Sequence, residues 1–290
     1  MGIHSHYLHN GVIKKSSEAG LFVGQLGLLS GWGIFSTLRV AEGALFAWER
    51  HWARMSRDAA LLNVAMPADR NAVEEDLLRL IETNGAQNAT LRISIVRNGG
   101  GFLEGPSSGL PSDVIAVTAN SKSWGESVRL TIQPNARFAA GEFTSAKMLS
   151  WAHNLRWVER AQSEGFDEVL LLNEHGRVAE CTSANIFAVS GGEVATPPVS
   201  EGCLPGITRQ VLIEEVRVPG IRFVERSLTL DELCQADEVL ITSTTRGLLP
   251  VREIAGRELN RRHAVSELLS RAFRTFLSED IGRRRRAALV

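Results

Sequence analysis

The stretch that most restricts this chain is the run of short apolar segments between residues 167 and 196, cut by brief turn signals. "DEVLLLN" and "RVAECT" flank "EHG", and "NIFAV" and "EVATP" flank "SGG". Segments so short and so close together pair as antiparallel hairpins, because a parallel crossover needs a dozen or more residues. That order argues against regular βαβ alternation and for an α+β (mixed α/β) chain with antiparallel hairpins.

The remaining elements follow from periodicity. "GIFSTLRVAEGALFAW" reads as two strands joined at Glu42 and Gly43. In "ERHWARMSRDAALLNVAM" the apolar residues Trp52, Met55, Ala59 and Leu62 recur at helical spacing. A second helix near Arg70 to Glu82 precedes the strand "ATLRISIVRN", whose alternation stops at the loop "GGGFLEGPSSGLPSD". The polar "TANSKSWGES" marks a boundary, giving a small domain over 1–118, a linker over 119–127 and a larger domain over 128–290. In the larger part come the strand "VRLTIQ", a helix from about Lys147 to Ser163, and a capping box at Thr229 and Glu232. The strand "DEVLITS" and the amphipathic helix "NRRHAVSELLSRAFRTFL" complete it, and the basic "GRRRRAAL" reads as a solvated end.

Composition removes several classes of function. With 290 residues, 44% apolar content and a formal net charge of −1, the chain has a real core and no field that would draw nucleic acid or a membrane. No apolar run approaches the ~20 residues that cross a bilayer, and the N-terminus lacks a charged-then-apolar leader, so a cytoplasmic location is expected. Cys181, Cys203 and Cys234 have no metal-site spacing and read as reduced thiols. His4, His6 and His9 read as surface residues of a frayed end, so no metal is expected. "GPSSG" imitates a serine-hydrolase elbow, but Pro106 and Pro111 bracket it, which denies Ser107 the strand-to-helix turn that the chemistry needs. "GQLGLLSG" lacks the spacing of a dinucleotide or phosphate loop.

Four features remain. Glu180 sits inside the apolar alternation of "RVAEC". Lys147 opens an expected helix, where the dipole disfavours its charge and suits an amine that must lose a proton. "LPGITR", residues 204–209, offers free backbone N–H groups at Ile207 and Thr208 to an anion, and "TSTT", residues 242–245, ends a strand in hydroxyls. Singly, each also suits a plain role: a solvent-facing acid, a helix-start lysine, a loop-to-helix entry. Jointly they are an amine, a strand carboxylate and two phosphate-donor sites.

In that order and spacing, together with "GIFSTLRV" and "ERHWARM" upstream, they resemble the fold-type IV (class IV) pyridoxal phosphate enzymes: branched-chain aminotransferases, D-amino acid aminotransferases and aminodeoxychorismate lyases. The resemblance runs from "YLHNG" to "LLPVREI". It implies that Lys147 forms the internal Schiff base and shuttles the proton, and that Glu180 keeps the cofactor's ring nitrogen protonated. It likewise implies that Arg54, Ile207, Thr208, Ser243 and Thr244 bind the cofactor phosphate, with Thr245 on the substrate side. It implies a homodimer, two domains per chain, and amino acid and 2-oxo acid substrates.

The chain departs from its relatives at the aromatics. Its one tyrosine is Tyr7, and Trp151 and Phe35 stand where phenols are expected, so contacts a hydroxyl would make must come from elsewhere. Arg39 and Arg97 are the candidates for the substrate carboxylate. The loop after Arg97 lacks the Arg-x-His of D-amino acid aminotransferases, while "FSTLRV" and "TTRGLLPV" lean toward the lyases. The expectation is transfer from a branched-chain-like amino acid to 2-oxoglutarate; the alternative is 4-amino-4-deoxychorismate lyase, which releases pyruvate and 4-aminobenzoate.

Overall fold

The computed structural model describes residues 2–20, 22, 24–100, 105, 108–259 and 263–287. Ser107 and residues 101–104 of the loop after Arg97 lie outside them. The chain divides into two compact units, Met1–Lys122 with Ala146–Trp151 and Glu279–Val290, and Ser123–Ser145 with Ala152–Ser278.

The first unit holds a six-stranded antiparallel sheet of β1 (Ile3–His9), β2 (Val12–Lys15), β3 (Gly33–Ala41), β4 (Ala44–Leu45), β5 (Ala89–Arg97) and β6 (Ser112–Asn120). The strands lie in the order β2-β1-β6-β5-β3-β4. Glu42 and Gly43 link β3 to β4 with φ of 49° and 78°, the left-handed pair that a two-residue hairpin turn requires. Beside the sheet run α1 (Leu26–Ser30), α2 (Trp48–Leu61) and α3 (Arg70–Thr83), the last capped by the Asp69 side chain, which accepts from Asn71 N and Ala72 N. Ile34, Leu38 and Val40 of β3 and Leu91, Ile93 and Ile95 of β5 alternate onto one face and pack with Trp48, Met55 and Ala59 of α2 and Leu77, Leu80 and Ile81 of α3. Each such side chain contributes roughly 1.5–3 kcal/mol by leaving water, and a one-residue slip would turn the whole set outward, so the core fixes the register.

The second unit carries β7 (Val128–Arg137), β8 (Glu168–Asn173), β9 (Val178–Cys181), β10 (Asn185–Ser190), β11 (Glu193–Thr196), β12 (Arg222–Glu225), β13 (Glu238–Ser243), β14 (Gly247–Ile254) and β15 (Arg257–Glu258). Their order is β12-β11-β10-β13-β14-β7-β8-β9, with β15 on β14. The β8–β9 and β10–β11 pairs are the antiparallel hairpins that residues 167–196 call for, and β7 joins β8 and β14 in parallel. Helices α4 (Ala152–Ser163), α5 (Ile207–Glu214) and α6 (Leu230–Gln235) follow in chain order, then α7 (Ala264–Ala287), which belongs to this unit up to Ser278. Thr229 and Glu232 form the capping box of α6. The fold is mixed α+β.

Three sequence expectations are corrected. Helix α4 begins at Ala152, and Lys147 lies before it in an extended stretch bonded to β3. The N-terminus is not frayed: β1 pairs with both β2 and β6, His4 bonds Thr118 and Asn120, and His9 bonds Asp113. Burial alone would raise the Asp113 pKa, but hydrogen bonds from Ser108, Asn10, Asn98 and His9 outweigh it and bring it down to about 2. Nor is the basic end merely solvated. Arg284 pairs with Asp280 at 3.0 Å and with Glu49 and Glu74, and Arg285 pairs with Glu42.

Candidate active site

In the first unit, the Lys147 amine sits against rings. The Lys147 C=O accepts from Phe35 N at 3.0 Å, and Leu149 N donates to Gly33 O at 2.9 Å, which holds the 146–149 stretch to β3. Lys147 Nζ lies 4.6 Å from the Phe35 ring centre and 5.9 Å from that of Trp151. The two rings meet edge to face, 6.0 Å apart at 70°. Phe35 and Trp151, which stand where the resemblance leads one to expect phenols, therefore form an apolar wall with a favourable field for a cation.

Arg54 comes from α2 and is 8% exposed. Its Nη2 donates to Ser36 Oγ at 2.9 Å, and that hydroxyl meets His51 Nδ1 at 2.7 Å. His51 is fully buried; burial first, then the charges of Arg54, Lys147 and Arg284, push its pKa well below the usual value, so the ring is neutral. Asp58, one turn beyond Arg54 on the same helix, accepts from Lys147 N at 3.0 Å.

Strand parity separates the arginines. Thr37 pairs with Arg92 and Phe35 with Ser94, so Phe35, Thr37, Arg39 and Arg92 share one face of the sheet. Arg92 Cζ stacks 3.8 Å from the Phe35 ring centre, and burial lowers the pKa of both Arg92 and Arg39. Arg97 is out of phase with Arg92 and projects from the other face. Its guanidinium donates to Gly99 O at 2.7 Å and Asn63 O at 2.9 Å and lies over Trp32. Arg92 was missed from the sequence, although the alternation of Leu91, Ile93 and Ile95 already sets Arg92 apart from Arg97.

In the second unit, Glu180 on β9 is 6% exposed. Its Oε1 accepts from Arg137 Nε at 3.0 Å and its Oε2 from Leu204 N at 3.1 Å. Paired in this way, a buried acid is tolerable. Arg137 was not anticipated, since it reaches Glu180 from β7.

Leu204 also links this acid to the helix start. Its C=O accepts from Asn185 Nδ2 at 2.8 Å, and a Cβ on Gly206 would come within 2.0 Å of Asn185 Oδ1, so a larger residue there would displace the Asn185 amide. Gly206 N-caps α5 without a side-chain cap, leaving the N–H groups of the first turn available. Thr208 Oγ1, buried in that turn, has no protein partner. Asn185 pairs across the sheet with Thr242, whose buried Oγ1 also has none. Ser243 follows at the strand end and accepts from Arg246 N at 3.2 Å, and Thr244 and Thr245 form the turn into β14. Arg246 is held by Glu168 at 2.8 Å and stacks 4.2 Å from the Trp124 ring centre. An orphaned hydroxyl at Thr208 in an uncapped helix N-terminus, and another at Thr242 opposite Asn185, fit a multiply accepting anion such as a phosphate monoester.

Against known proteins, the family model described as amino-transferase class IV matches residues 33–254. A chain of Methanocaldococcus jannaschii, provisionally named a branched-chain-amino-acid aminotransferase, is 32% identical over 254 residues, covering 87% of this chain and 88% of that one. The D-alanine aminotransferase of Bacillus licheniformis is 27% identical over 256 residues, covering 87% and 89%. Among solved structures, the branched-chain aminotransferase of the thermophilic archaeon Thermoproteus uzoniensis, crystallised with norvaline, shares the fold: it superposes with a TM-score of 0.85 at 24% identity, covering 96% of this chain and 96% of that one. The family match spans most of the chain, the archaeal relative is similar along nearly its whole length, and this chain belongs to the class IV aminotransferases.

Proposed function

We propose that the chain uses pyridoxal phosphate to move an amino group from an apolar, branched-chain-like amino acid to a 2-oxo acid. What supports it most is the Leu204 peptide, which gives its N–H to the Glu180 carboxylate two residues ahead of the uncapped start of α5. An acid for a ring nitrogen and donors for a phosphate are thus fixed to one backbone segment. The orphaned hydroxyls of Thr208 and Thr242 fit the same group.

Bound pyridoxal phosphate supplies the aldehyde that takes up amines and the ring that withdraws electrons from the substrate Cα. Lys147 is its covalent anchor and the base that moves the proton from Cα. Arg92 stacks on the ring that Lys147 also meets. Glu180 holds the proton at the ring nitrogen, and Arg137 keeps Glu180 in place as an acceptor. Arg54, Ile207 N, Thr208, Ser243 and Thr244 bind phosphate, Arg54 through its planar fork. Arg39 and Arg92 receive the substrate carboxylates, and Thr245 lies on the substrate side. Phe35 and Trp151 exclude water from the amine and accept an apolar side chain. We read the enzyme as a homodimer, since Leu28 and Leu29 of α1 leave apolar side chains exposed for a second copy to cover. A cytoplasmic location suits three free cysteines.

The test is a spectral titration of the holoenzyme with a panel of D- and L-amino acids, following loss of the cofactor's visible band and oxo-acid formation. Conversion of apolar L-amino acids, reversed by 2-oxoglutarate, is the expected result. No oxo acid from any donor, with pyruvate released from 4-amino-4-deoxychorismate, would replace this reading with the lyase.

A further inference from the structure

The inward face of α2 is unusual for a packed helix. His51, Arg54 and Asp58 fall at i, i+3 and i+7, a single stripe, and are 0%, 8% and 1% exposed among Trp48, Met55 and Ala59. Burying three polar side chains is costly unless each has a partner. His51 and Arg54 meet at Ser36. Asp58 reaches elsewhere.

Its Oδ1 accepts from the neighbouring Arg57 Nε at 3.0 Å, and its Oδ2 accepts from the backbone N–H of Lys147 at 3.0 Å. That N–H is a special one. The bridge of Ile34 with Met148, the bond from Phe35 N to Lys147 O and the bond from Leu149 N to Gly33 O make a short antiparallel ladder. Continued in the usual pattern, the ladder would send Lys147 N–H to the Phe35 carbonyl. It goes to the carboxylate instead, so the ladder ends at the lysine and α2 takes hold of it.

We propose that Asp58 is a positioning residue for the reacting lysine, an inference that rests on the role given to Lys147 above. Asp58 fixes the Lys147 peptide from the same helix face that presents Arg54 one turn earlier, so the amine and the phosphate-binding arginine are spaced by one rigid element. Because Arg57 neutralises its other oxygen, Asp58 acts as a hydrogen-bond acceptor and not as a bare charge near the amine. Asparagine should therefore replace it and alanine should not.

The experiment pairs hydrogen exchange on the full-length apoprotein with kinetics of the holoenzyme for D58A and D58N. In D58A, exchange in the peptide spanning 146–151 rises roughly ten-fold, the scale of one lost charge-assisted hydrogen bond, while α3 and β13 keep wild-type protection. The kcat falls by about the same factor, and KM for the amino donor changes less than about two-fold. D58N restores both to within about three-fold of wild type. The proposal is overturned by unchanged exchange at 146–151 in D58A, by exchange raised uniformly across the chain, or by D58N as impaired as D58A. Raised exchange with unchanged kcat also overturns it. Borohydride reduction of the wild-type protein, read by peptide mass, reports separately whether Lys147 carries the cofactor, so failure of the functional reading is distinguishable from failure of this one.

Discussion

The Lys147 region of the first unit and the Glu180 region of the second surround their charged groups differently. Near Lys147, ring contacts are prominent: Lys147 and Arg92 lie against Phe35, and Arg54 donates to Ser36. In the second, charges are locked in ion pairs, Glu180 with Arg137 at 3.0 Å, Glu168 with Arg246 at 2.8 Å, and Arg209 with Glu225. A ring attracts a cation without demanding one. A buried ion pair does demand one, because removing either charge strands the other. On the proposed roles, one region holds a group that changes state and the other a group that does not.

The contrast can be broken most directly at Glu180. E180Q keeps the shape and removes the permanent charge, and kcat should fall by about a hundred-fold, the order that losing one preorganised electrostatic partner costs. Stopped-flow half-reactions measure it, and an unchanged rate would remove the distinction. On the other side, R92A should raise KM for a dicarboxylic oxo acid by about ten-fold or more, as expected for a charged hydrogen bond lost. R97A, which disturbs only the opposite face of the sheet, should leave that KM within about two-fold. Steady-state kinetics with both oxo acid and apolar donor varied decide between them. T208A combined with T242V should weaken cofactor binding by roughly ten-fold, measured by fluorescence titration of the apoprotein.

The smallest effect concerns pH. The folded pKa of His51 lies below its unfolded value, so its contribution to stability is complete above about pH 6.5 and is lost as the pH falls, because the unfolded chain takes up a proton that the folded chain refuses. H51Q should flatten the fall in urea-measured stability between about pH 6 and 5 by up to about 1.4 kcal/mol per pH unit. An unaltered slope would mean that the imidazole is charged in the fold.

The two regions also differ in how much of them could be read beforehand. Around Glu180 the structure is local: short hairpins, the PGIT turn and the TSTT strand end are written in neighbouring residues, and β8 to β11, α5 and β13 form where pattern and turn chemistry put them. Around Lys147 it is not. Residues 147–151 have helical composition, yet hydrogen bonds to Gly33 and Phe35 and to Asp58 draw 147–149 into an extended path, and tertiary contacts override local preference. The pairing of Arg284 and Arg285 with acids more than two hundred residues away is equally invisible to any window. Arg92 is a different case. Its parity was present in "TLRISIVR", and counting faces along that strand separates it from Arg97 without a structure.

Peptide mapping after borohydride reduction of the holoenzyme tests the central claim, that Lys147 is the cofactor's covalent anchor. A single pyridoxyl-modified peptide containing Lys147, absent in K147A although that variant still binds the cofactor reversibly, is the result expected. Modification of a different lysine, or an undiminished trapped adduct in K147A, would contradict it.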